Sequence, residues 1–139
     1  MPGGAAGAVL AAGAVAVSLA VLVRRVEVVG ASMAPTLLPG DRLVVLRLAP
    51  VRAGAVVALP DPRHPSRVLV KRVAAVGASG VDVRGDAVGA STDSRHFGLV
   101  ARRSIVGRAV WRYAPPERAG RLRPAGPGGV PPAPGGSIR

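Results

Sequence analysis

Residues 68–76 read VLVKRVAAV, an apolar and β-branched run that contains one lysine and one arginine. Such a run favours a β-strand packed against a core, so Lys71 is expected to be buried. Eighteen of the nineteen cationic residues are arginine, and Lys71 is the single lysine. Arginine stays protonated at any working pH, whereas a buried lysine can lose its proton and act as a base. Either a bias towards arginine has left one unimportant lysine, or this position requires an amine.

The sequence on both sides of this run predicts a β-rich fold. Short Val/Leu-rich runs separated by Gly, Pro and Asp are typical of strands joined by tight turns. They lie at residues 26–29, 43–48, 55–59, 81–84 and 105–111. No amphipathic stretch of helical length separates them. We therefore predict a mainly β fold, a compact antiparallel domain over residues 26–113.

The two ends of the chain differ from this middle part. Residues 5–23 carry no charge, and nineteen helical residues span about 28 Å, close to the bilayer core. This predicts an N-terminal transmembrane helix within a membrane anchor over residues 1–25. A cleaved signal peptide and a buried helix of a soluble protein remain alternatives. Residues 114–139 are rich in Pro, Gly and Arg, which predicts a disordered tail.

Charge and composition narrow the classes of partner. The formal net charge is +12, and the chain contains one Trp, one Tyr and one Phe. The arginines are scattered and lack an aromatic stacking platform, so we expect contact with anionic membrane lipids and not with nucleic acid. Without cysteine there is no thiol chemistry, and the two histidines, His64 and His96, lie far apart in the sequence, so no metal site is expected. No cofactor is expected.

A candidate nucleophile lies just after the apolar N-terminal segment. In GASMAPT, residues 30–36, Ser32 is flanked by small residues where a strand gives way to a turn. That setting exposes the hydroxyl and leaves the backbone N–H free, as an acyl-transfer nucleophile requires. Three further blocks follow in order: PGD at 39–41, VKRV at 70–73 and GDAVGASTDSRHFG at 85–98.

Together these four blocks resemble the type I signal peptidases, serine–lysine endopeptidases that remove signal peptides, over roughly residues 27–113. The resemblance implies that Ser32 is the nucleophile and that Lys71, neutral through burial, is the general base. It implies that Ser91 is the accessory serine that orients the lysine amine. The Ser32 N–H would be one oxyanion donor, and Gly30 stands where some members carry a hydroxyl as the second donor.

The resemblance also assigns supporting residues. It implies two ion pairs that hold their loops in register and two residues that shape the pocket beside the serine. The pairs are Arg72 with Asp86 and Asp93 with Arg95, and the pocket residues are Met33 and Pro35. The chain departs from the family at Ala87, where Asn is usual, and at Leu99, where Pro is common. Neither departure removes a catalytic group.

The chain resembles the small actinobacterial-type members, including those assigned to maturing nickel-containing superoxide dismutase, because only the catalytic β core is present. The expected function is therefore cleavage of N-terminal signal or leader peptides from precursor proteins, a nickel-type superoxide dismutase precursor being one candidate. We expect a monomeric, single-pass protein of the cell membrane with an extracytoplasmic catalytic domain. Arg24 and Arg25 would instead favour a cytoplasmic flank under the positive-inside rule. The alternative is a basic, non-enzymatic membrane-surface module with a vestigial peptidase fold.

Overall fold

The computed structural model describes residues 4–126, and the last thirteen residues of the predicted tail lie outside this range. The chain begins with helix α1 and continues into seven strands and one short helix. These are α1 (Gly4–Leu22), β1 (Val23–Glu27), β2 (Arg42–Leu46), β3 (Val56–Asp61), β4 (His64–Gly77), β5 (Gly80–Arg84), α2 (Ser94–Phe97), β6 (Gly107–Ala114) and β7 (Gly120–Arg121).

The strands form one antiparallel sheet in the order β1-β2-β6-β3-β4-β5, with β7 paired to β6. The prediction of a mainly β, antiparallel domain is confirmed. Strand β4 begins at His64 rather than Val68, because the hairpin from β3 turns tightly at Pro62 and Arg63. Strand β1 likewise begins at Val23.

Strand β3 is buried on both of its faces. Successive side chains of a strand point to opposite faces, and β3 contributes alternately to two apolar clusters. Val56 and Ala58 pack with Val26, Leu43 and other residues of the first cluster. Val57 and Leu59 pack with Val73, Val81 and Val83 in the second. A strand enclosed in this way positions its neighbour β4 rigidly.

Lys71 lies in the buried central part of β4, residues 70–73, as its sequence context predicts. It is paired in register with Val57 of β3, and Arg72 is paired with Val56. Both cationic residues are only 3% exposed. Because adjacent residues of a strand point to opposite faces, the two charged groups enter different surroundings.

The buried carboxylate of Asp41 joins distant parts of the chain, a role that the sequence did not indicate. Asp41 is fully buried and accepts hydrogen bonds from the Leu38 N–H and from the guanidinium groups of Arg112 and Arg118. Arg112 also donates to the carbonyl of Thr36, at 3.0 Å. These contacts hold the loop that follows Ser32 against β6 and against the turn after it.

The start of the predicted disordered tail is folded. Strand β7 pairs with β6, and the Leu122 N–H donates to the Val110 carbonyl. Ala125 is buried, and its N–H donates to the carbonyl of Gly54. The amino-acid composition could not predict that this segment is folded, because its stabilising contacts are made to residues far away in the sequence. The main one is the contact of Arg118 with Asp41.

The N-terminal region differs from the prediction in two respects. Arg24 and Arg25 do not end an anchor helix but lie in β1, paired with Val45 and Val44. Within residues 4–126, no helix combines the length and the apolar character needed to cross a membrane.

Candidate active site

Ser32 lies half-buried in a tight loop whose shape is set by its neighbours. The Ala34 N–H donates to the Ala31 carbonyl, and the Leu37 N–H donates to the Met33 carbonyl. The side chains of Met33 and Leu37 are fully buried and anchor the loop in the core. No hydrogen bond reaches the Ser32 hydroxyl from any residue between 4 and 126, so it remains available to a substrate.

The amine of Lys71 is held by a serine. Its Nζ lies 3.0 Å from the Ser91 Oγ, and the Ser91 hydroxyl in turn donates to the Asp93 Oδ2 at 2.7 Å. Asp93 is fully buried. Burial alone would raise the pKa of Asp93, but hydrogen bonds from Arg95, from the Gly85 N–H and from Ser91 hold that pKa well below its usual range. Asp93 is therefore a carboxylate at any working pH.

The ionised state of Asp93 sets the direction of the hydrogen bonds. A carboxylate only accepts, so the Ser91 proton must point towards Asp93. The Ser91 oxygen can then only accept from Lys71, which uses one N–H of the amine for this contact. A neutral amine has one lone pair, and this arrangement leaves that lone pair facing away from Ser91.

Burial also favours the neutral form of the Lys71 amine. Desolvation lowers the pKa of Lys71 below the ordinary lysine value, and Arg63 and Arg95 add to the effect. Asp93 and Asp61 oppose it, but the net direction is downward. A larger share of the lysine is therefore unprotonated near neutral pH than in an exposed lysine.

Gly85 brings the two serines together. A β-carbon at this position would overlap the Ser91 hydroxyl and would lie 2.5 Å from the Ser32 carbonyl oxygen. That carbonyl accepts a hydrogen bond from the Ala87 N–H at 2.9 Å. Ser32, Ser91 and, through Ser91, Lys71 are thus assembled around one residue that has no side chain.

Both predicted ion pairs are present, and each holds a loop of the site. Arg72 binds Asp86 through two hydrogen bonds of 2.8 Å and also donates to the Gly54 carbonyl. This pair fixes the turn after β5 to the strand that carries Lys71. Arg95 binds Asp93 through its Nε and Nη2 at 2.9 and 2.7 Å. Asp93 also caps the first turn of α2 by accepting from the Arg95 N–H.

The two predicted pocket residues differ in their positions. Met33 belongs to the first core cluster and supports the serine loop from below instead of lining an open pocket. Pro35 is exposed on the loop surface. Gly30 has a φ of 79°, a left-handed conformation that glycine adopts readily, so it sets the chain direction just before Ser32.

A cleft of about 550 Å³ is lined by residues that lie close in sequence to Ser32 and to Lys71. Its walls are formed by Val29, which precedes the serine loop, and by Val68 and Leu69 of β4. Asp61, Arg63 and Arg67 complete the lining. In the part of the chain that the structure describes, no group of three or more His, Asp or Glu side chains lies together as metal ligands would.

The sequence analysis did not predict that Gly85 lies against both Ser32 and Ser91. The feature that could have indicated it is the position of this glycine directly before Asp86 in the last motif. It also missed the clamp of Asp41 by Arg112 and Arg118. Neither arginine belongs to a motif, so no local pattern could have indicated this contact.

The comparison with known proteins gives the class of this chain, a peptidase. The family described as "Signal peptidase, peptidase S26" matches residues 5–89. The chain belongs to this family, which confirms the resemblance inferred from its motifs.

Two similar proteins come from Arabidopsis thaliana. The Mitochondrial ATP-independent inner membrane protease subunit 1a is 36% identical over 129 residues, covering 73% of this chain and 77% of the relative. Subunit 1b is 34% identical over 125 residues, covering 68% and 72%. Both relatives are named as proteases.

Replacing Gly85 by Ala is expected to lower peptidase activity at least tenfold, because the new methyl group must push the Ser32 loop away from Ser91. An angstrom of misplacement at a catalytic group costs about a hundredfold in rate. The control is Gly89→Ala, since a β-carbon there meets nothing within 4 Å. Peptide cleavage rates of the two variants, measured alongside their melting temperatures, check this. Equal activity of both would show that the contact at Gly85 is unimportant.

Replacing Lys71 by Met is expected to stabilise the protein at neutral pH. Because the folded protein lowers the lysine pKa, the unfolded chain binds more protons, and stability rises with pH. The destabilisation caused by burying the charged amine is complete below the pKa of Lys71 in the folded protein. It disappears as the pH rises through the pKa of lysine in the unfolded chain, about 10.4. Urea unfolding of both proteins between pH 7 and 10.5 should show the advantage of the variant narrowing.

The matched control for this measurement is the neighbouring Arg72→Met. Removing that guanidinium leaves Asp86 without its partner, so this variant should lose about 3–5 kcal/mol. A Lys71→Met variant that is destabilised at every pH would contradict the assignment of a destabilising buried amine.

Proposed function

We propose that the protein is a serine endopeptidase in which Ser32 is the nucleophile and Lys71 is the general base. The observation that carries the proposal is the buried amine of Lys71, held by Ser91 against the ionised Asp93. That chain of hydrogen bonds fixes the amine without giving it a carboxylate partner of its own. An amine in this setting is suited to proton transfer and not to holding a charge.

The proposed reaction begins when the Ser32 Oγ attacks the scissile carbonyl carbon while its proton passes to the Lys71 Nζ. The tetrahedral intermediate collapses as Lys71 returns that proton to the leaving amine, and an acyl-enzyme remains on Ser32. Water then attacks the ester carbonyl while giving a proton to Lys71, and the bond to Ser32 Oγ breaks as Lys71 returns that proton to the serine, which releases the carboxylic acid product. The Ser32 N–H is the proposed donor to the developing oxyanion.

The unpaired edge of β4 supports an extended peptide as the substrate. Strand β5 pairs with β4 only from Arg72 onward, and β3 pairs with its other side. Among the described residues, no strand pairs with the edge of β4 that precedes Lys71 and faces away from β3. A peptide can add there as a further strand, with Val29 on its far side.

Membership of the signal peptidase family implies precursor proteins with leader peptides as substrates. Within this class we propose two candidates, secretory precursors and the precursor of a nickel-type superoxide dismutase. The relatives are named as subunits, so the predicted monomeric state stays a prediction.

We also propose that the protein is attached to a membrane through its N-terminal segment, with the catalytic domain on the extracytoplasmic side. The uncharged residues 5–23 support this, as does the exposure of Val15, Leu19 and Val21, each more than half exposed. The relatives are named as inner membrane proteases.

Two substitutions test the catalytic proposal. Ser32→Ala removes the nucleophile, and Lys71→Arg keeps the positive charge but cannot serve as a base. Each should lower cleavage of a precursor by at least a thousandfold, as loss of a catalytic group does in other serine peptidases. Cleavage is followed by mass spectrometry of the released leader, with a secretory precursor and a dismutase precursor compared side by side.

Arg121→Lys is the control, because Arg121 is exposed on β7. It exchanges the same two residue types as Lys71→Arg, in the opposite direction. It should cleave at the wild-type rate. Undiminished cleavage by Lys71→Arg would disprove the role of the lysine, and a non-enzymatic surface module would cleave neither precursor with any variant.

The membrane proposal is tested by extraction of isolated membranes at pH 11. The full chain should remain in the membrane pellet, whereas a chain lacking residues 1–22 should enter the supernatant. Release of the full chain would contradict an N-terminal anchor.

A further inference from the structure

Among residues 4–126, Arg67 is the one charged residue lining the cleft that has no ion-pair partner. Asp61 is buried and is bound by Arg63, whose Nε and Nη2 lie 3.1 and 2.9 Å from its carboxylate oxygens. That pair is neutral as a whole. Arg67 lies exposed on β4, and no carboxylate among residues 4–126 forms an ion pair with it. The cleft therefore carries an uncompensated positive charge.

The register of β4 places this charge relative to Lys71. Leu69 precedes Lys71 by two residues and shares its face of the strand, because the pairing of β4 with β3 is regular from Arg72 back to Val68. Arg67 lies one residue beyond this regular part, where the register shifts, and it lines the same cleft as Leu69. Four residues of extended chain span at most about 13 Å, so Arg67 lies within about 13 Å of Lys71 along the strand.

An extended peptide rises by the same amount per residue as the strand it joins. When its scissile bond lies at Ser32 and Lys71, its side chain about four residues away lies beside Arg67. Between these points the wall of the cleft is apolar, formed by Val29, Val68 and Leu69. A peptide on this path meets first an apolar surface and then one free guanidinium.

We infer that Arg67 selects peptide substrates that carry an acidic side chain about four residues from the scissile bond. A guanidinium binds a carboxylate through paired hydrogen bonds, whereas it repels a basic side chain at the same place. This inference names a substrate class for the proposed peptidase and rests on that proposed function. The charge of Arg63 is already compensated by Asp61, which it binds through its Nε and Nη2.

The test measures binding and not cleavage, so that it is independent of the catalytic mechanism. The full-length Ser32→Ala protein is titrated in detergent with fluorescent extended peptides that contain alanine around the scissile bond. The peptides carry Glu or Gln at the third, fourth or fifth position on one side of that bond or on the other. Fluorescence anisotropy gives the dissociation constants.

The expected result is that Glu binds about twofold to fivefold more tightly than Gln at one of these positions. Addition of Arg67→Glu should reverse the preference, so that a peptide with Lys at that position binds more tightly than one with Glu. The matched control is Arg121→Glu, which changes the net charge equally on the distant strand β7. It should leave the preference for Glu unchanged. The preference should weaken in 0.5 M salt, as expected of an exposed ion pair.

Three outcomes would overturn the inference. Glu and Gln peptides could bind equally at every position, neither could bind measurably, or Arg121→Glu could abolish the preference as fully as Arg67→Glu does. These failures leave the catalytic proposal standing if the unsubstituted protein cleaves precursors. Conversely, a protein that binds acidic peptides through Arg67 but cleaves none would disprove the peptidase mechanism and keep the binding site.

Discussion

The buried carboxylate of Asp93 is the group on which the rest of the site depends. It accepts hydrogen bonds from the Gly85 N–H, from the Ser91 hydroxyl and from Arg95. A buried charge without such donors costs several kcal/mol, so the loops that supply them are held firmly in place. Because this carboxylate only accepts, it also decides which way the Ser91 proton points. The orientation of the Lys71 amine follows from that single constraint.

The adjacent residues Lys71 and Arg72 show how one strand can bury two cations for different purposes. Arg72 points to Asp86 and keeps its charge in a pair whose partners are both 3% exposed. Lys71 points the other way, to a hydroxyl group, and burial lowers its pKa. The pair fixes the position of the strand, whereas the lysine amine, bonded to a hydroxyl and not to a carboxylate, carries a desolvation cost. The fold thus accepts a local cost where the proposed chemistry needs an amine that can lose its proton.

Much of the fold could be predicted from the local pattern of the chain. The predicted runs at 43–48, 55–59 and 81–84 lie within a residue or two of strands β2, β3 and β5. The errors lie where distant contacts override local composition. Residues 115–126 look disordered because they are rich in Pro, Gly and Arg, yet Arg118 binds Asp41 and Ala125 packs on Gly54. Strand β4 also continues through Pro65, since that proline lies beyond the regular pairing with β3.

The sequence by itself determined the antiparallel β class, the burial of the only lysine and the family, because strand periodicity and short motifs are local properties. It also indicated Ser32, Ser91 and both ion pairs through their motifs. Only the tertiary structure decided that Gly85 brings the two serines together, that Met33 is a core residue and that Arg67 faces a cleft without a partner. Those facts depend on contacts between residues that are far apart in the sequence, and a local sequence pattern does not predict such contacts.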